Sequence, residues 1–136
     1  GQVASFHPVI ASQPGGITDG FYTFAQFDTP SKSSCSEEIC NWIDKYESLF
    51  GNTPNIGSAY GYMYMDVTAR ALEIAGYNLT KESFITALES IKDYKIPFGE
   101  SILSWGPDKH LGANDAFLFG VQDGKFIQVD DVMYTY

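Results

Sequence analysis

Asp123-Gly124 stands between two apolar runs, Ala116-Phe117-Leu118-Phe119-Gly120-Val121-Gln122 and Lys125-Phe126-Ile127-Gln128-Val129. A two-residue hairpin loop needs positive φ at its central positions to match the twist of the flanking strands, and Asp-Gly supplies it. The sequence therefore predicts a β-hairpin near its C-terminal end. Upstream the apolar period changes from two to 3.6 residues, and that change excludes an all-β architecture. Ile39, Trp42, Ile43, Tyr46, Leu49 and Phe50 fall on one helical stripe, which Gly51 stops. Ser34-Cys35-Ser36-Glu37 offers a capping box for that helix, with Glu37 and Glu38 at the positive end of its dipole.

A second helix is expected from about Gly57 to Ala75, with Tyr60, Met63, Val67, Ala71 and Ile74 at helical spacing. Thr80 is the N-cap of a third, whose apolar face is Phe84, Leu88 and Ile91. Phe21 to Phe27 reads as a strand stopped by Asp28-Thr29-Pro30, and Glu100 to Trp105 as another. Residues 1–20 carry Pro8, Gln13-Pro14-Gly15-Gly16 and Asp19-Gly20, which is turn chemistry. The order of strand, three helices and then strands makes the class mixed α/β.

The 136 residues include 8 Lys+Arg and 17 Asp+Glu, a formal net charge of −9. With no basic cluster, neither nucleic acid nor an anionic membrane is expected as a partner. The longest apolar runs are a few residues, too short to span a bilayer. Gly1-Gln2-Val3-Ala4 has neither an initiator Met nor a signal-peptide pattern, which suits a processed or excised chain. Cys35 and Cys40 are five apart. On one helix the rise alone would separate them by about 7.5 Å, too far for a bridge. With Cys35 ahead of the helix a small bridged loop becomes possible, so free thiols and a disulfide both stand. Structural zinc would need two more ligands, and only His7 and His110 are present, far away in sequence.

No catalytic motif is found. There is no G-x-S-x-G, no Walker A and no G-x-G-x-x-G, and neither His has a nucleophile beside it. Asp130-Asp131 reads as a solvated pair. Tyr60, Tyr62 and Tyr64 form an aromatic cluster with Met63 and Met65. Tyr60 and Met63 belong to the buried stripe, whereas Tyr62 and Tyr64 either coat the surface or face something. Asn55-Ile56-Gly57-Ser58 places small residues and backbone N–H donors at a helix start, a place suited to a carboxylate.

One ordered series of motifs runs through these elements. It comprises Trp42-x-x-x-Tyr46-x-x-x-Phe50-Gly51-x-x-Pro54-Asn55, Gly61-Tyr62, Ala71-Leu72-x-x-Ala75-Gly76, Leu79-Thr80 and Ala87-Leu88-x-x-Ile91. Leu103-Ser104-Trp105-Gly106-Pro107-Asp108-x-His110-x-Gly112 and Val121-Gln122-Asp123-Gly124-Lys125-Phe126 continue it. The series resembles the C-terminal third of the branched-chain amino-acid-type periplasmic solute-binding proteins of ABC transporters, over residues 18–131. Met63-Tyr64 departs from the Asp-Ala that commonly follows Gly-Tyr in the family.

The resemblance implies part of a type I periplasmic binding fold, two α/β lobes joined by three crossing segments. Residues 1–17 would be a linker or remnant of the preceding lobe, and 18–119 the C-terminal part of the N-terminal lobe. Residues 120–136 would cross over and return to the other lobe. The implied function is capture of an amino acid or similar small carboxylate for an ABC permease, with no catalysis and no cofactor, at the periplasmic or extracellular face, free or lipid-anchored. Ser58, Tyr60 and Tyr62 are the expected ligand contacts, against the alternative that they pack a helix start. The isolated chain is expected to self-associate. A ligand-sensing domain of a regulator with the same fold, or an independent small interaction domain, is the competing reading.

Overall fold

The computed structural model describes residues 5–135. Residues 1–4, the start of the segment read as a linker, and Tyr136 at the end of the hairpin segment lie outside the described residues. In chain order the elements are α1 (Pro8–Ala11), β1 (Tyr22–Ala25), α2 (Glu37–Phe50), α3 (Ile56–Ala75), α4 (Lys81–Ser90), β2 (Tyr94–Lys95), β3 (Ile102–Leu103), β4 (Asp115–Gln122) and β5 (Lys125–Thr135). They fall into two compact units, Gly1–Asp28 with Asn114–Tyr136, and Thr29–Ala113. The class is α/β, with three substantial helices and a C-terminal hairpin.

In the first unit β4 is the middle strand of an antiparallel sheet ordered β1-β4-β5. The turn between β4 and β5 has positive φ at both Asp123 (51°) and Gly124 (74°), as a two-residue hairpin requires. Thr23 and Ala25 of β1 point inward and Tyr22 and Phe24 outward, the alternation of a half-buried strand. Phe6, from the stretch that reads as irregular, is buried; its ring centroid lies 4.6 Å from those of Phe119 and Phe126.

The strand β5 continues past Val129, where its apolar alternation stops, as far as Thr135. Its register against β4 shifts between Phe117 and Phe119. Asp130 organises the irregular stretch. Its carboxylate accepts from the Val132 N–H (3.1 Å) and the Tyr134 hydroxyl (2.9 Å), and its carbonyl accepts from the Gln128 amide (2.8 Å). Asp130 is thus not merely solvated; it holds a bulge, a device that keeps an edge strand from templating another chain.

In the second unit α2 and α3 start and stop where local chemistry dictates. Ser36, rather than Ser34, caps α2 by accepting from the Ile39 N–H (3.4 Å), and Gly51 ends it at φ 72°. Asn55 and Ser58 form a reciprocal capping box at α3, and Thr80 and Ser83 another at α4. The face Ile56, Ala59, Met63, Val67 and Ala71 is buried, a spacing that suits an amphipathic helix. The expected strand over Glu100–Trp105 is paired only at Ile102–Leu103, against Tyr94–Lys95. Two-residue partners limit the ladder to two residues.

Cys35 precedes α2 and is disulfide-bonded to Cys40, with the two Cα atoms 5.5 Å apart. The bridge joins the residue before the N-cap to the fourth helical residue, the positions an apolar staple otherwise occupies. Closing so short a loop restricts the unfolded chain by about 2 kcal/mol. Cys40→Ser should therefore lower stability by about 2 kcal/mol in urea unfolding, and the wild-type chain under dithiothreitol should fall to the same value.

Candidate ligand-binding groove

One side of α2 from Glu38 to Phe50, the first turns of α3 and Pro97-Phe98 line a groove of about 580 Å³ within the second unit. That volume lies in the range of small-molecule sites. Trp42 is part of its lining, with ring centroids 4.8 Å from Phe98, 5.6 Å from Tyr46 and 5.7 Å from Tyr62. Phe98 and Tyr62 both meet Trp42 edge-on, at 65° and 67°, and Tyr62 meets Phe98 at 77°. Edge-to-face packing holds the three rings against one another. With no side chain at Gly61, the groove keeps its width between Ser58 and Met65.

A hydrogen-bond chain ends in this groove. The Asn55 N–H donates to Ser58 Oγ (3.3 Å), and the Ser58 hydroxyl donates to Tyr46 Oη (3.0 Å). The Ser58 N–H, one of the helix-start donors that the sequence offers to a carboxylate, is taken by Asn55 Oδ1 (3.1 Å). Lys45 and Glu38 bring opposite charges to the lining. Lys32, by contrast, binds Asp44 and Glu47 (2.7 Å each), whose hydrogen bonds push its ammonium up to about 12.

Of the expected contacts, the structure brings Ser58 and Tyr62 together in the lining and directs Tyr60 elsewhere. Tyr60 stacks on Tyr64 at 5.9 Å, outside the groove. Trp42, Tyr46 and Phe98 join the lining without being among the expected ligand contacts. Trp42 and Tyr46 carry the helical period of a core stripe, which says that they face something but not that it is a groove. Phe98, after Pro97 in a loop, has no periodic signal. Among the described residues, no group of three His, Cys, Asp or Glu is placed to hold a metal, and no helix is long and apolar enough to cross a membrane.

Further along α3, Asp66 accepts from the Tyr94 hydroxyl (2.9 Å) and pairs with Arg70 (2.9 Å), whose guanidinium sits 5.0 Å from the Tyr94 ring centroid. Burial, and then the hydrogen bond to Asp66, push the Tyr94 phenol well above its ordinary value of 10.0. The folded state then holds this proton where the unfolded chain releases it, so stability is full below pH 10 and falls as pH rises beyond. Tyr94→Phe should remove that alkaline decline, read as the slope of unfolding free energy between pH 9 and 11.

The family described as periplasmic binding protein matches residues 3–125. The likeness is therefore not confined to a C-terminal third of the family beginning at residue 18. It runs over nearly the whole chain and takes in the first residues set aside as linker. A branched-chain amino acid ABC transporter protein from Thermus thermophilus, solved with bound valine, is 16% identical with a TM-score of 0.75, covering 96% of this chain and 37% of that one. An extracellular ligand-binding receptor from Rhodopseudomonas palustris HaA2 is 19% identical with a TM-score of 0.70, covering 93% and 38%. A solute-binding protein from Rhodopseudomonas palustris BisB5, in complex with 3,4-dihydroxybenzoic acid, is 18% identical with a TM-score of 0.65, covering 95% and 34%. The fold is thus that of type I periplasmic binding proteins, and the chain spans little more than a third of these structures. No curated protein matches the chain significantly.

Proposed function

Because the chain belongs to the periplasmic binding protein family, a family of binding proteins rather than enzymes, we propose that it forms part of an extracytoplasmic solute-binding protein. The solute is a small carboxylate, an amino acid or a related organic acid, handed to an ABC permease. The observation that carries the reading is the groove between α2 and α3, apolar in its walls and supplied with hydroxyls and one cation. Two relatives support the ligand class: the Thermus protein holds valine and the Rhodopseudomonas protein holds 3,4-dihydroxybenzoic acid, both small carboxylic acids. The Cys35–Cys40 bridge suits an oxidising, periplasmic or extracellular, compartment.

In this reading Ser58 and Tyr62 contact the solute, and Tyr60 supports them through the first turns of α3. A second lobe closes over the solute. Closure is favoured only to the extent that the solute binds the closed state more tightly, which contact with both lobes provides. The permease then reads the closed form.

Isothermal titration of the chain with valine and with 3,4-dihydroxybenzoate tests the reading. Saturable binding of at least one is expected, with a gain of about 2.7 kcal/mol in unfolding free energy at 100-fold its dissociation constant. Absence of heat and of stabilisation with both acids at millimolar concentration would contradict it.

A further inference from the structure

We infer that Gly61 is a direct contact of the solute, whose apolar part lies against the bare backbone between Ser58 and Met65; the inference rests on the solute-capture reading above. Gly61 is the sixth residue of α3, past the turn that the Asn55–Ser58 box caps. A glycine inside a helix lowers the folding equilibrium constant about fivefold relative to alanine, because its backbone loses more freedom on folding. Three ordinary causes keep a glycine in such a place, and none applies here. Its φ is not positive, unlike that of Gly51 or Gly76. It neither starts nor ends the helix. Apart from its chain neighbours and the helix's own backbone, nothing among the described residues lies within 4 Å of where its Cβ would stand. Gly57, by contrast, has Asn55 Oδ1 3.1 Å from that point, and Gly112 has the Trp105 ring at 2.5 Å. The fold alone would be served better by alanine at 61.

What Gly61 does have is a place in the groove. Ser58, Gly61, Tyr62 and Met65 are the residues that α3 gives to the lining. Positions three and four apart share a helix face, so Ser58 and Met65 bracket Gly61 on that face. The row therefore lacks a side chain at its middle. The residues that α2 gives to the same lining include Trp42, Tyr46, Leu49 and Phe50, all large. A notch thus opens down to main chain in a wall built largely of bulky side chains. A solute carbon touching the Gly61 Cα sits about 3.5–4.0 Å from it. A Cβ added there takes the same space, and would exclude that carbon or lift the solute out of the notch. Close approach of a ligand to the backbone is what glycine permits. The stability given up at 61 then has its counterpart in binding, as where a functional position breaks a local rule of folding.

Gly61→Ala separates this role from a structural one, because stability and affinity should move in opposite directions. In urea unfolding the folding constant of the variant should rise, by up to about fivefold. In isothermal titration, whichever of valine and 3,4-dihydroxybenzoate binds the wild-type chain should bind the variant at least about tenfold more weakly, the scale of forcing a methyl into a filled contact. Thr68→Ala is the control. Thr68 lies on the same helix outside the groove lining, and its hydroxyl bonds back to the Tyr64 carbonyl (2.7 Å). Alanine there strengthens the helix without adding bulk to the groove, so affinity should stay within about twofold. Unchanged or tighter solute binding by Gly61→Ala would overturn the role of Gly61 and leave the groove reading standing. Equal weakening in both variants would do the same, since the effect would then belong to stiffening of α3. A lower folding constant in Gly61→Ala would also overturn it, by showing that the fold itself needs glycine at 61. Failure of both acids to bind the wild-type chain would overturn the reading beneath, and this inference with it.

Discussion

Phe119→Ala is expected to destabilise the sheet unit by about 3–5 kcal/mol, the range for removing a fully buried aromatic ring. Phe119 is 1% exposed and sits on the middle strand, opposite Thr23 of β1 and Gln128 of β5. Its ring packs 4.6 Å from that of Phe6, which is also 1% exposed. Truncation therefore removes apolar contact and opens a cavity that three hydrogen-bonded strands cannot collapse to fill. Because domains are stabilised by only about 5–15 kcal/mol, the loss should shift the urea midpoint of the far-ultraviolet signal severely. Phe24→Ala on the outer face is the control. Phe24 is 41% exposed and touches Tyr134 edge-on at 5.5 Å, so its loss should be about 1 kcal/mol.

Ile43→Ala is the corresponding change in the helical unit, with an expected cost of about 2–5 kcal/mol. Ile43 is 1% exposed, whereas Trp42 and Tyr46 beside it on α2 line the groove. The same helix thus anchors itself with one face and presents aromatic rings with the next. Loss of the anchor should loosen that presentation, so ligand affinity should fall along with the urea midpoint. Leu49→Ala, at 66% exposure, should change stability by less than about 0.5 kcal/mol. Similar effects of the two substitutions would contradict the assignment of Ile43 to the core.

The parts of the fold legible in the sequence are those with local causes. The helix stripes, the stop at Gly51, the Thr80 cap and the Asp123-Gly124 turn each depend on residues within one or two turns of chain. The cap of α2 falls on Ser36 because the bridge from Cys35 to Cys40 fixes where the helix begins, a covalent constraint that spacing alone leaves open. The β2–β3 ladder pairs residues only seven to nine apart, whereas Phe6 depends on a partner far away in sequence, 113 residues in the case of Phe119. Propensity carries no record of such partners. Asp130 looked solvated because its acceptors serve a bulge that only the paired strand creates.

The groove divides along the same line. Ser58 and Tyr62 are found by their place at a helix start and off the core stripe. Trp42 and Tyr46 are assigned to a stripe whose neighbours are incompletely packed, and Phe98 arrives from a loop. A helical period identifies the face that avoids water; it does not distinguish a face packed against protein from one that awaits a ligand.

The most direct measurement is an amide and indole chemical-shift titration of the isotope-labelled chain with valine and with 3,4-dihydroxybenzoate. Saturable shifts confined to Trp42, Tyr46, Ser58, Tyr62 and Phe98 and their immediate neighbours are the predicted result. Saturable shifts that leave those five residues unmoved, or no saturable shifts at all, would contradict the assignment of this groove as the solute site.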